Sequence, residues 1–166
     1  HAPKNKRHSI WPSLLGAGIL LLFDVGFEGS YLFSILVCPI WLLIGVVKNL
    51  IVRPGWRLAL LRAAIPALTL GIVLVNTNIQ WKIGDTNGER VVKACEDYHA
   101  TNGRYPKTLN ELVPQYLPSV PRATYCLRGK FWYFNTDGHN PILWWHKIGF
   151  CNKIYNFEKK EWHHLD

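Results

Sequence analysis

Apolar positions crowd the first half of this chain in long runs and thin into short periodic stripes in the second half. Residues 10–27 are apolar apart from Ser13 and Asp24, residues 31–47 carry no charge, and residues 58–80 are broken by charge only at Arg62. A helix that crosses hydrocarbon needs about 20 mostly apolar residues, so the pattern predicts three transmembrane helices over those ranges. A secretory signal peptide is the rival reading of the first run. No small-x-small cleavage pattern follows it, and Gly26-Phe27-Glu28-Gly29-Ser30 leads straight into the next apolar run. Pro12, Pro39 and Pro66 fall inside the runs. Membrane helices accept proline where neighbours satisfy the freed carbonyl.

Beyond Gln80 the periodicity changes. Asp85-Thr86-Asn87 offers N-capping side chains, and Val91, Val92, Cys95, Tyr98 and His99 then recur at helical spacing. Asn102-Gly103 ends that helix. With no strong breaker before Asp85, the helix nearly continues the third apolar run outward. Thr108-x-x-Glu111 has capping-box spacing, with Leu109, Leu112 and Val113 as a short apolar face closed by Pro114. Pro118 and Pro121 keep the next segment extended. Strand-like runs follow at 124–127, 130–134, 142–146 and 153–157, with Trp162 in a last one and Asp137-Gly138 as a tight turn. The fold class expected is a membrane protein: a transmembrane region over 1–81, then an α+β domain over 82–166 with a helix packed on an antiparallel meander.

Charge sets the orientation. Lys and Arg number 19 against 11 acids, but up to Gln80 the balance is seven to two, and beyond it twelve to nine. The early bases flank apolar runs, which argues for membrane topology and against nucleic acid. By the positive-inside rule the N-terminus and the 48–57 loop are cytoplasmic, and the 24–30 turn, with Asp24 and Glu28, lies outside. Three crossings then place 82–166 outside, in the periplasm of a bacterial inner membrane. Trp11, Tyr31, Trp56 and Trp81 each fall at a predicted boundary, as an aromatic belt requires. Asp24, near the outer edge, is expected to be an interfacial carboxylate.

The succession from a helix ending Asn102-Gly103-Arg104-Tyr105-Pro106, through Leu109-x-x-Leu112 and a Pro-rich loop, to an antiparallel sheet resembles the globular part of major pseudopilins of type II secretion. The likeness covers about residues 86–157 and implies a periplasmic helix-plus-sheet domain borne on a membrane helix. Pseudopilins carry one membrane helix, cut after a Gly that precedes Phe, with Glu five residues into the mature chain. Here two further apolar runs come first, and Gly26-Phe27 is followed by Tyr31 at that position. The expectation is therefore the fold without the role of a processed fibre subunit. The loop 135–140 is similar to calcium loops of some pseudopilins. It holds one carboxylate, and a hairpin turn accounts for the same residues.

Candidate chemistry is sparse. Cys38 falls in the second apolar run and Cys95 on the helix stripe, both as buried thiols. Cys126 and Cys151 suit a disulfide in an oxidising compartment, with Cys95 as the competing partner. Closing that loop would add about 3 kcal/mol. His99, His139, His146, His163 and His164 lack metal-site spacing, so no metal or other cofactor is expected. No nucleophile motif or phosphate loop is present, and a membrane enzyme would have to draw on Asp24, Glu28 and Asp85. The aromatics carry more information. Consecutive aromatics on a strand point to opposite faces, so one sheet cannot bury them all from one side. Phe131, Trp132, Tyr133, Trp144, Trp145, Lys147 and Tyr155 are the candidate partner-binding residues. Membrane lipid and a protein are the expected partners. The protein is a toxin, for an immunity-type role, or a component of pilus or secretion assembly.

Overall fold

The computed structural model describes residues 10–53, 55–136, 140–148 and 151–165. Helix α1 (Trp11–Leu21) runs on as a π-helical stretch, Leu22–Glu28, and is followed by α2 (Leu32–Val52) and α3 (Trp56–Asn102). A 3-10 turn, Leu109–Leu112, leads to strands β1 (Trp132–Phe134), β2 (Ile142–Ile148), β3 (Cys151–Asn156) and β4 (Glu161–Leu165). The strands form one antiparallel sheet in the order β1-β2-β3-β4. The chain is thus helices first, then a small meander, as the periodicity predicts. Among the described residues two helices, α2 and α3, are long and apolar enough to cross a membrane, and the first apolar stretch is shorter than that length.

Pro12 lies in the first turn of α1, where its missing N–H costs no hydrogen bond. Asp24 is fully buried within the protein, and its carboxylate caps α2, accepting the Phe33 N–H at 3.1 Å and the Ser34 N–H at 2.6 Å. The four leading N–H groups of a helix lack internal partners, and a carboxylate also complements the positive end of the dipole. Gly29, at φ 65°, ends the π-helical stretch and lets the chain reverse. At the other end of the α2–α3 hairpin, Asn49 donates to the Ala59 carbonyl at 3.3 Å and accepts from Arg62 at 3.5 Å. Arg62 therefore reaches back toward the basic loop.

Helix α3 is continuous for 47 residues, about 70 Å at 1.5 Å per residue. The capping triplet at 85–87 starts no helix. Asp85 instead accepts from Lys153 Nζ at 2.6 Å, and Asn87 donates to the Arg122 carbonyl at 2.8 Å. The far end closes as the sequence indicates, with Gly103 left-handed at φ 69°. The capping box also differs. The Thr108 hydroxyl makes no cap bond, while Glu111 accepts the Lys107 N–H at 3.0 Å and the Tyr98 hydroxyl at 2.8 Å. Residues 124–127 are a closed loop and not a strand. Thr124 N–H bonds the Gly129 carbonyl, Gly129 N–H bonds the Cys126 carbonyl, and the backbone folds so tightly that a Cβ at Gly129 would collide with Thr124.

The core gathers Val91, Ala94, Cys95 and Tyr98 of α3, Tyr105, Leu112 and Leu117 of the connecting segment, and Leu143, Tyr155 and Phe157 of the sheet region. Strand β2 runs antiparallel to α3. Trp81 Nε1 donates to the Lys147 carbonyl at 2.9 Å, Trp145 lies over Gly84, and Leu143 joins Val91 and Cys95 in the core. Gly84 and Gly88 make this approach possible. A Cβ at Gly84 would stand 2.5 Å from the Trp145 ring, and one at Gly88 would stand 3.0 Å from the Trp162 ring.

Candidate functional site: the outer face of the sheet

Strand parity divides the aromatic residues into two sets. On β2, Leu143 and Trp145 are fully buried against α3, while Ile142 is exposed and Trp144 half-buried. On β1, Tyr133 turns inward, donating to the Pro106 carbonyl at 2.8 Å, and Trp132 and Phe134 turn outward. Cross-strand pairing aligns Trp132 with Trp144 and Phe134 with Ile142. The two tryptophan rings stack at 5.4 Å and 10°. Trp144 also meets His146 edge to face at 4.9 Å. The outward set is therefore a strip of Trp132, Phe134, Ile142 and Trp144.

The seven residues expected to bind a partner separate accordingly. Trp132 and Trp144 lie on the outer face. Trp145 and Tyr155 are buried, and Phe131 and Tyr133 pack against the core. Lys147 sits over the Trp81 ring at 5.1 Å, on the helix side. The division has a physical reason, the one that strand alternation implies: adjacent strand residues face opposite ways, and α3 covers one face. Phe134 and Ile142, the remaining members of the strip, were marked in advance only by their alternation with inward neighbours.

Buried groups of the core titrate far from neutrality. Burial pushes the Cys95 thiol up to about 12, aided by the nearby Glu96 charge. Burial likewise raises Tyr105 to about 12, and its hydroxyl donates to Glu96 at 3.2 Å. Burial also raises Tyr133. For Glu111, burial works upward, but hydrogen bonds from Tyr98 and the Lys107 N–H, with the Arg104 charge, hold it below the usual carboxylate range.

All four cysteines are free thiols, so the Cys126–Cys151 bridge expected from sequence is not formed. Cys126 is buried against Gly29, 3.1 Å from the Thr124 hydroxyl, whereas Cys151 opens β3 opposite Ile148. Alkylation after unfolding without reductant should therefore add four groups by mass, and a count of two would mean a bridge. In the folded protein Cys95 should stay unmodified, because a thiol at that pKa is almost wholly protonated.

Among the described residues, no three His, Cys, Asp or Glu side chains converge as metal ligands would. The Asp137-Gly138 turn, and His139 of the calcium-like loop, lie outside the described residues. Comparison of the chain with protein-family models, curated proteins and solved structures finds no match.

Proposed function

We propose that this chain is an integral membrane protein of three spans, N-terminus cytoplasmic, whose α+β domain stands in the bacterial periplasm and binds a protein partner through the outer face of its sheet. The membrane part of this reading is supported by exposure. In the most apolar stretches of α2 and α3 only 6% and 17% of residues are buried, whereas the core helix of a soluble domain would be covered. Leu36, Leu43, Leu50, Leu68 and Val75 all stand open, and one face of that extent in water would aggregate.

The observation that carries the binding reading is the strip of Trp132, Phe134, Ile142 and Trp144. Because β2 runs alongside α3, the strip rises away from the level of Trp81. Ile142 is five residues beyond Lys147 on the strand, about 16 Å further out at strand spacing. A bilayer surface at the level of Trp81 does not cover that end. Stacked tryptophans on a rigid strand pair make low-entropy anchors, the kind of group that dominates protein interfaces.

A toxin neutralised by the exported domain is the first reading of the partner. A component of pilus or type II secretion assembly is the second, favoured by the order of a long helix and then a meander, as in the pseudopilins it resembles. An enzyme built on membrane-face acids is disfavoured, since Asp24 is spent as a cap and Asp85 is paired with Lys153. The test is a mild-detergent pull-down from the native host, comparing the unaltered chain with Trp132→Ser and Trp144→Ser. Each substitution should weaken partner recovery by about 30-fold, the equivalent of about 2 kcal/mol for an interface anchor. Undiminished recovery with both substitutions would remove the outer face as the site.

A further inference from the structure

The loop 122–130 has no regular structure but is held by several hydrogen bonds. Its own turn is closed by Thr124, Cys126 and Gly129, and Arg122 donates to the Cys126 and Leu127 carbonyls at 3.0 and 3.4 Å. Three more bonds fix it to the helices, one of them from Asn87 to the Arg122 carbonyl at 2.8 Å. The Leu127 N–H donates to the Gly26 carbonyl at 3.0 Å, and the Tyr125 N–H donates to Gln80 Oε1 at 2.8 Å. The tip is therefore fastened to the end of the first apolar helix on one side and to α3 on the other. The level is that of the Tyr31–Trp81 ring contact, 5.9 Å between centroids.

Its small side chains face inward, with Ala123, Thr124 and Cys126 buried. Its two largest apolar ones face out, Tyr125 at 71% and Leu127 at 70% exposure. Leu127 forms one wall of an almost wholly apolar cleft of about 260 Å³, shared with Leu22, Phe23, Gly26 and Phe27. In water this arrangement orders a backbone in order to expose apolar surface. At a bilayer interface it does the opposite, with Leu127 entering the acyl region and the Tyr125 ring lying at the headgroup boundary.

We infer that the loop 122–130 is an interfacial anchor: Tyr125 and Leu127 seat in the leaflet on the side of the sheet domain, and the cleft beside Leu127 takes a lipid acyl chain. The inference rests on the reading of the apolar helices as spans. The anchor fixes the sheet domain at a third point besides α3 and its own core, and so sets the direction in which the outer face looks.

The experiment uses the full chain in phospholipid nanodiscs, with a benzophenone photocrosslinking side chain in place of Leu127 or, separately, Tyr125. Leu36 of α2 is the spanning reference and Phe134 the reference away from the bilayer. After illumination, mass spectrometry should find phospholipid adducts at 127, 125 and 36 and none at 134. Adducts at 36 with 127 and 125 as silent as 134 would overturn the anchor and leave the spans standing. Silence at 36 would overturn both.

Discussion

Trp145→Ala should unfold the sheet domain more readily by about 3–5 kcal/mol, the cost of removing a large buried aromatic side chain. Trp145 has no exposure and its ring packs against Gly84, so its loss opens a void between β2 and α3 at the point where the sheet is mounted. The converse change attacks the same contact. Gly84→Ala puts a methyl where the Trp145 ring stands, at 2.5 Å, and overpacking of this kind costs about 1–3 kcal/mol. In the double variant the new methyl enters the new void, so the two costs should sum to less than their separate values. Denaturant midpoints followed by near-ultraviolet circular dichroism read all three. Full additivity would mean that Trp145 and Gly84 do not share a contact.

Asp24→Ala should loosen the turn between the first helix and α2. Two N–H groups would lose their acceptor, that of Ser34 in a buried place and that of Phe33 in a partly buried one, at about 1–3 kcal/mol for a buried donor left unsatisfied. Asp24→Asn retains an acceptor oxygen and should cost less. The consequences reach the sheet domain, because Gly26 and Gly29 of the same turn touch Leu127 and Cys126. Proteolysis at the 26–30 turn should therefore rise in the order unaltered, Asn, Ala. If Ala and Asn behaved alike, the carboxylate would not be acting as the cap.

Much of the architecture is legible in the sequence. Long apolar runs mark helices directly, and the absence of a breaker before Asp85 indicated that the soluble helix nearly continues the third run, whereas the capping triplet at 85–87 suggested a new start that the continuous α3 does not make. Alternation and turn residues placed β1 to β3 within a few residues. The strand expected at 124–127 was a false positive of composition, because Thr-Tyr-Cys-Leu has strand-forming side chains. What decides there is Gly129, whose missing Cβ lets the chain fold back onto Thr124. The binding face was legible only by half. Alternation told that Trp144 and Trp145 oppose each other, but not which one faces α3. That parity comes from a contact between residues far apart in sequence, Gly84 with Trp145. A signal for it existed: Gly84 and Gly88 recur four apart inside a helical stripe, where glycine has no local use. Such a pair marks the close approach of something large.

The first loops of the chain illustrate the opposite limit. Nothing local marks Asp24 as a cap, since its acceptor role depends on α2 starting beside it after a reversal at Gly29. A lone acid near an apolar run reads as interfacial on composition, and the packed turn adds that protein encloses it.

The proposed topology is the claim on which both the binding face and the loop anchor depend, and it is tested most directly by reporter fusions placed after Leu165. One reporter is active only after export and the other only in the cytoplasm. With three spans and a cytoplasmic N-terminus, the exported reporter should be active and the cytoplasmic one silent. The reverse pattern would put the sheet domain inside the cell and contradict the account.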